Sequence, residues 1–319
     1  MKTAACLIAA ALSLTAQPKL LVNAQTDTRS AAAGLEASIR PLLGAAQASW
    51  VGYSVPGTRT NMGCDYVRDG WSQPGVIHLE PPDHVVIFFR VEGGELLRIR
   101  ALSPDCQIDA GGLPVHWLND VKPAESVTLL ASLAEKRDRF SDSALSAISH
   151  HADPSAEALL KRYLAPSQPS AIRVRAVSWV GYDTLKSLAA SDPDERVRER
   201  AISNLGGRRE PDIPDLLIPL ARKDPSSRIR MSALSALNRR SGQKIVETLR
   251  EAAETDPDMQ VRRRAIGALQ SMPDGEGIPT LIQLAKTTKE PEIRKQAMNS
   301  LGNSHDLRAV TFFESVLKS

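Results

Sequence analysis

Three stretches decide the fold: DPDERVRERAISNL at 192–205, DPSSRIRMSALSAL at 224–237 and DPDMQVRRRAIGAL at 256–269. Each carries an apolar residue, an Arg, two free positions, an Ala, an apolar residue, two free positions and a Leu. The positions are Val197-Arg198, Ala201-Ile202 and Leu205, then Ile229-Arg230, Ala233-Leu234 and Leu237, then Val261-Arg262, Ala265-Ile266 and Leu269. A fourth copy follows as Ile293-Arg294, Ala297-Met298 and Leu301. The first apolar positions of the four copies lie 32 residues apart, within the period of helical-repeat arrays. Working backwards, Ile172-Arg173, Ala176-Val177 and Val180 form an earlier copy. Phe140, Ala144-Leu145 and Ile148 form a degenerate one, with Ser141 where the Arg would stand.

Offsets of four and eight put these apolar side chains on one helical face, and the Ala lets a neighbouring helix come close. Between copies lies a second apolar segment, at 213–220, 245–252, 278–284 and 310–317. Two helices joined by short turns cannot bury such stripes alone, whereas stacked pairs can. Residues 140–319 are therefore expected to form an αα-solenoid, and the chain is expected to be mainly α. Asp192-Pro193, Asp224-Pro225 and Asp256-Pro257 precede the Arg-bearing helices. Pro is tolerated in a first turn, and the acid is expected to cap the free N–H groups there.

The pattern resembles the HEAT repeat, and more closely the bacterial HEAT-like repeats first associated with phycobilisome lyases. That resemblance implies an Asp in the turn within each repeat and an Arg six positions on. Asp192 and Arg198, Asp224 and Arg230, and Asp256 and Arg262 keep the spacing and read as a structural ladder. Glu290-Pro291 stands closer to Arg294, a departure, and Asp153 has no matching Arg. The resemblance covers about residues 138–319 and speaks for fold, not activity.

Residues 1–24 read as a secretory signal peptide, with Lys2 ahead of an apolar run at 4–14. Val22-Asn23-Ala24 offers small residues for cleavage before Gln25, and Leu14-Thr15-Ala16 is a competing site. The run is too short to span a bilayer, so no membrane span is expected after cleavage. Export would leave two cysteines, Cys64 and Cys106, in an oxidising compartment. A disulfide between them, closing about forty residues, would contribute roughly 4 kcal/mol on the chain-entropy view; two unrelated buried thiols are the alternative.

Residues 25–122 are expected to form a small α+β or β-rich domain stapled by that disulfide, joined by a helix within 123–139 to the repeats. A short helix at 35–46 is interrupted by Pro41, and 50–56 has the aromatic, β-branched character of a strand. Segments 84–90 and 95–101 flank Gly93-Gly94 as a hairpin, and 123–136 reads as the helix. With the paired cysteines and the run Asp109-Ala110-Gly111-Gly112-Leu113-Pro114, this layout looks like a group of exported bacterial HEAT-repeat proteins. That likeness implies the arrangement and no chemistry.

A formal charge of +3 gives no general attraction for nucleic acid. None of the six histidines is followed by Glu, so the His-Glu pairs that hold two irons in deoxyhypusine hydroxylases are absent. Export argues against the bilin lyases that share such repeats. His150-His151 near Asp153 reads as the polar end of a helix, and His116 beside Trp117 as packing. Gly111-Gly112 lacks the strand and helix that a phosphate cradle needs, and no Gly-x-Ser-x-Gly elbow occurs. No catalysis, cofactor or metal is expected.

The HEAT resemblance implies that the Arg-bearing helices line a concave face, so the positions after each Arg are candidates for binding. Glu199, Arg200, Met231, Arg263, Arg264 and Lys295 are the expected partner-binding residues. They suit a protein partner of acidic or polyanionic character, held by an exported scaffold, periplasmic or extracellular. A structural or protective exported protein that binds through its N-terminal domain is the competing expectation, and a lyase-like or metal-dependent enzyme is the third.

Overall fold

A computed structural model describes residues 21–58, 82–136 and 139–318. The chain divides into two compact units, one ending at Arg162 and one beginning at Tyr163. The degenerate repeat copy at Phe140 thus falls in the first.

The first unit runs β1 (Leu21–Val22), β2 (Gln25–Ser30), α1 (Leu35–Leu43), β3 (Ser49–Pro56), β4 (His84–Glu92), β5 (Glu95–Leu102), β6 (Ile108–Asp109), β7 (Pro114–Asn119), α2 (Pro123–Glu135) and α3 (Ser141–Ser149). The five-stranded sheet has the order β2-β7-β3-β4-β5, and β1 pairs separately with β6. β2, β7 and β3 are parallel neighbours, whereas β3, β4 and β5 are antiparallel. The expected hairpin is present, turning on Gly93 and Gly94 with φ of 61° and 79°, values that glycine adopts without a Cβ penalty.

β4 is apolar on both faces because both are covered. Val85, Ile87 and Phe89 lie opposite Val55, Tyr53 and Val51, on the side where α2 brings Ser126 against Tyr53. Val86 and Phe88 face the other way, into a cluster with Ala110, Val115 and Trp117. Gly52 fits there because a Cβ would strike the Phe88 ring.

Pro41 does not interrupt α1, which continues to Leu43. A proline so near the end removes a single N–H, and Gly44 N–H closes the last turn on the Arg40 carbonyl at 3.2 Å. Cys64 lies outside the described residues, as do residues 1–20 of the expected leader at 1–24; Cys106 is buried.

α4 (Pro154–Leu164) leads into the second unit, which runs α5 (Ser170–Ala176), a 3-10 turn (Val177–Trp179), α6 (Tyr182–Ser191), α7 (Glu195–Gly206), α8 (Ile213–Lys223), α9 (Ser227–Leu237), α10 (Gln243–Thr255), α11 (Met259–Gln270), α12 (Ile278–Thr287), α13 (Pro291–Gly302) and α14 (Leu307–Leu317). α6 pairs with α7, α8 with α9, α10 with α11 and α12 with α13; α7, α9, α11 and α13 then pack side by side. The repeated apolar positions from Val197 to Leu301 are buried to 1% exposure or less, except Met298. Stacked helical pairs follow a β-rich domain, as expected.

The turn acids act differently from expectation. Asp192, Asp224 and Asp256 close the preceding helices, and each carboxylate accepts the N–H two residues on, at 2.9 Å. The caps of the Arg-bearing helices are Asp194, Ser226 and Asp258. The proline fixes the turn between these two polar residues, so the first is too far back to reach the helix.

The Arg of one repeat reaches the acid of the next. Arg230 binds Asp256 through Nε and Nη2 at 2.8 and 2.9 Å, and its Nη1 donates to the Asp224 carbonyl at 2.9 Å. Arg198 donates to the Asp192 carbonyl at 3.1 Å and approaches Asp224 at 3.9 Å. Arg173 pairs with Asp192, both nearly inaccessible. Where the acid is displaced, Arg262 turns to the Ala253 carbonyl at 3.0 Å and only approaches Glu290.

Candidate binding groove

The Arg-bearing helices expose one stripe to the same side. On α9 it consists of Arg228, Met231, Ser232 and Ser235, continued by Arg239 in the turn that follows. On α11 the residues 32 positions later are Gln260, Arg263, Arg264 and Gly267, with Ser271 at its C-cap. An offset of three or four residues keeps each stripe on one face, and the 32-residue period brings equivalent positions side by side.

Two depressions run between these stripes. One, of about 310 Å³, lies between α7 and α9 and is walled by Glu199, Ser203, Arg228, Met231, Arg239 and Arg264. The other, of about 460 Å³, lies between α9 and α11 and is walled by Met231, Asn238, Gln260, Arg263, Arg264 and Gln270. Met231, Ser235 and Arg264 line both, so the two form one groove with a thioether at its centre.

The groove is basic. Glu199 is its one acid, and Arg228 pairs with it at 2.6 Å. Arg263 reaches Glu292 of α13 at 3.3 Å. Arg239 and Arg264 have no acidic partner among the described residues. A guanidinium stays charged at any physiological pH and grips carboxylates or phosphates with two parallel N–H donors. Met231 adds an adaptable apolar contact. Such a surface has the charge and shape to suit anionic groups with apolar neighbours.

Four of the six expected residues, Glu199, Met231, Arg263 and Arg264, meet in this groove. Arg200 does not: its Nε donates to Ser178 Oγ at 3.0 Å. Lys295 is exposed on α13 and lines neither depression. Arg228 falls outside the repeat pattern because it precedes the repeat's first apolar residue. One turn back from Met231, it continues the same stripe.

In the first unit His116 lies on β7 beside Asp27 of β2, which also accepts from Arg29 Nε at 2.7 Å. The hydrogen bonds from Arg29 and His116 help hold the Asp27 carboxyl below its usual range although desolvation opposes them. Trp117 points the other way and is buried against Phe88, ring centroids 6.0 Å apart. His151 is buried too. Its Nδ1 donates to the Ala147 carbonyl and its Nε2 accepts from Ser126 Oγ, both at 2.8 Å, and Ser126 in turn accepts from Tyr53 at 2.8 Å. Burial lowers the pKa of His151 and raises that of the Tyr53 phenol.

The family model described as HEAT repeats matches residues 182–258 and 246–319. The C-terminal region is a HEAT-repeat domain. The groove runs along consecutive HEAT helices α7, α9 and α11, inside the matched span. No curated protein matches the chain. Among the described residues no helix is long and apolar enough to cross a membrane.

Proposed function

We propose that this chain is an exported scaffold whose HEAT-repeat groove holds an acidic segment of a partner protein. HEAT repeats support protein interaction in general. The observation that carries the finer reading is the groove itself. Four arginines surround Met231, and two of them, Arg239 and Arg264, are left without acids among the described residues. A partner presenting carboxylates beside an apolar side chain would satisfy both features. Export rests on the N-terminal sequence, and with it the pairing of Cys64 and Cys106 as a disulfide.

Affinity capture from a native exported fraction, followed by mass spectrometry, identifies the partner. The double replacement Arg239→Glu and Arg264→Glu is expected to weaken its binding about 30-fold or more, because like charges then face each other. Raised salt should weaken the unaltered complex as well. Arg264 is exposed on α11 and Arg239 is exposed in the turn that follows α9, so circular dichroism should stay unchanged. Undiminished capture by the double variant refutes the groove.

A further inference from the structure

Four residues ahead of Gln25 are built into the first unit. Leu21 and Val22 pair in parallel with Ile108 and Asp109. Val22 O accepts the Ala110 N–H at 3.1 Å and Asn23 O accepts the Gly112 N–H at 2.8 Å. Asn23 Nδ2 donates to Asp109 Oδ1 at 3.2 Å. Asn23 holds a φ of 51°, a left-handed conformation that Asn tolerates better than most residues. Leu21 and Ala24 pack on the cluster of Val86, Phe88, Ala110, Val115 and Trp117. Leu21 also walls a cleft with Trp50, Phe88 and Leu102.

A cut after Ala24 would discard all of this. β6 would lose the strand it pairs with, Ala110 and Gly112 would lose acceptors, and the apolar cluster would lose two of the side chains that pack on it. A cut after Ala16 keeps every contact. The sequence allows it: residues 4–12 alone supply nine apolar or small residues, within the length an export signal needs, and Ala16 supplies the small residue at the cut, with the bulkier Leu14 two positions before it.

We propose that the leader is removed at the Ala16–Gln17 bond, so that the segment Leu21 to Ala24 remains as a structural strand of the mature protein. The reading rests on the export reading above. The step is hydrolysis by a membrane-bound leader endopeptidase: water adds across the amide, the carboxylate stays on Ala16 and the free amine on Gln17.

The test is to express the chain with its own N-terminus in a bacterial host and read the N-terminus of the exported protein by intact mass and tandem mass spectrometry. A start at Gln17 is the expected result. A start at Gln25 overturns the assignment while leaving export intact, and an uncut Met1 form confined to the cytoplasm overturns export and the assignment together. Chains beginning at Gln17 and Gln25, produced directly, give a second measurement. The shorter is expected to melt lower by roughly 5 °C or more, and equal melting temperatures contradict the structural role of the segment.

Discussion

Arg230 and Asp256 are both about nine-tenths shielded from solvent, and each offers the other two hydrogen-bonding atoms. Removing the guanidinium strands a buried carboxylate, which costs far more than the pair contributes. Arg230→Met is expected to destabilise the protein by about 2–4 kcal/mol, read from urea denaturation. A change under 0.5 kcal/mol would show that the pair is only decorative. His151 makes a second residue-scale prediction. Burial lowers its pKa below the ordinary 6.5, so the folded state favours neutral imidazole while the unfolded chain takes up a proton. Stability from this group is therefore full above about pH 6.5 and is lost as pH falls from there through the lower folded value. Burial lowers His150 in the same direction. Denaturation midpoints should fall between pH 7 and 5, less steeply in His151→Gln and least in a variant lacking both histidines. A slope unaffected by either change contradicts the buried network.

At the scale of the element, Gly277 shows what spacing alone does not reveal. It caps α12, and a Cβ there would overlap the Leu269 carbonyl at the end of α11. Gly277→Ala is expected to cost about 1–3 kcal/mol by overpacking, measured by thermal unfolding; an unchanged midpoint would contradict the close approach. The repeat helices were legible because the i, i+4, i+8 apolar spacing is local and recurs four times at one period. Pro41 misled because its position near a helix end, not its identity, sets its cost. β2 was illegible: QTDTRS is exposed at every residue and has no alternation to read, since its pairing with β7 comes from a segment 89 positions away. β7 holds Trp117 on one face and His116 on the other, an alternation too short to stand out in six residues. The turn acids were recognised, but the sequence could not show that Asp194, Ser226 and Asp258, two positions on, do the capping.

Over the whole chain, the period that built the HEAT stack also arranged the groove. Positions 228, 231, 232, 235 and 239 recur 32 residues later as 260, 263, 264, 267 and 271, so one surface position per helix turn becomes a continuous lining. Glu199, Met231, Arg263 and Arg264 could be read from the sequence because they follow the repeat's Arg. Arg200 and Lys295 share that spacing without sharing the groove, since side-chain direction and the local partner Ser178 are not encoded by period. The acidic partner proposed above was already suggested by the basic stripe in the sequence; the structure adds that Arg239 and Arg264 are left without an acidic partner among the described residues. The most direct test is hydrogen exchange of the full-length protein with and without its captured partner. Bound partner should slow exchange in peptides covering 228–240 and 260–271 while leaving the sheet strands β3 and β4 unchanged. Protection confined to the sheet, with none along α9 and α11, would contradict the groove as the binding site.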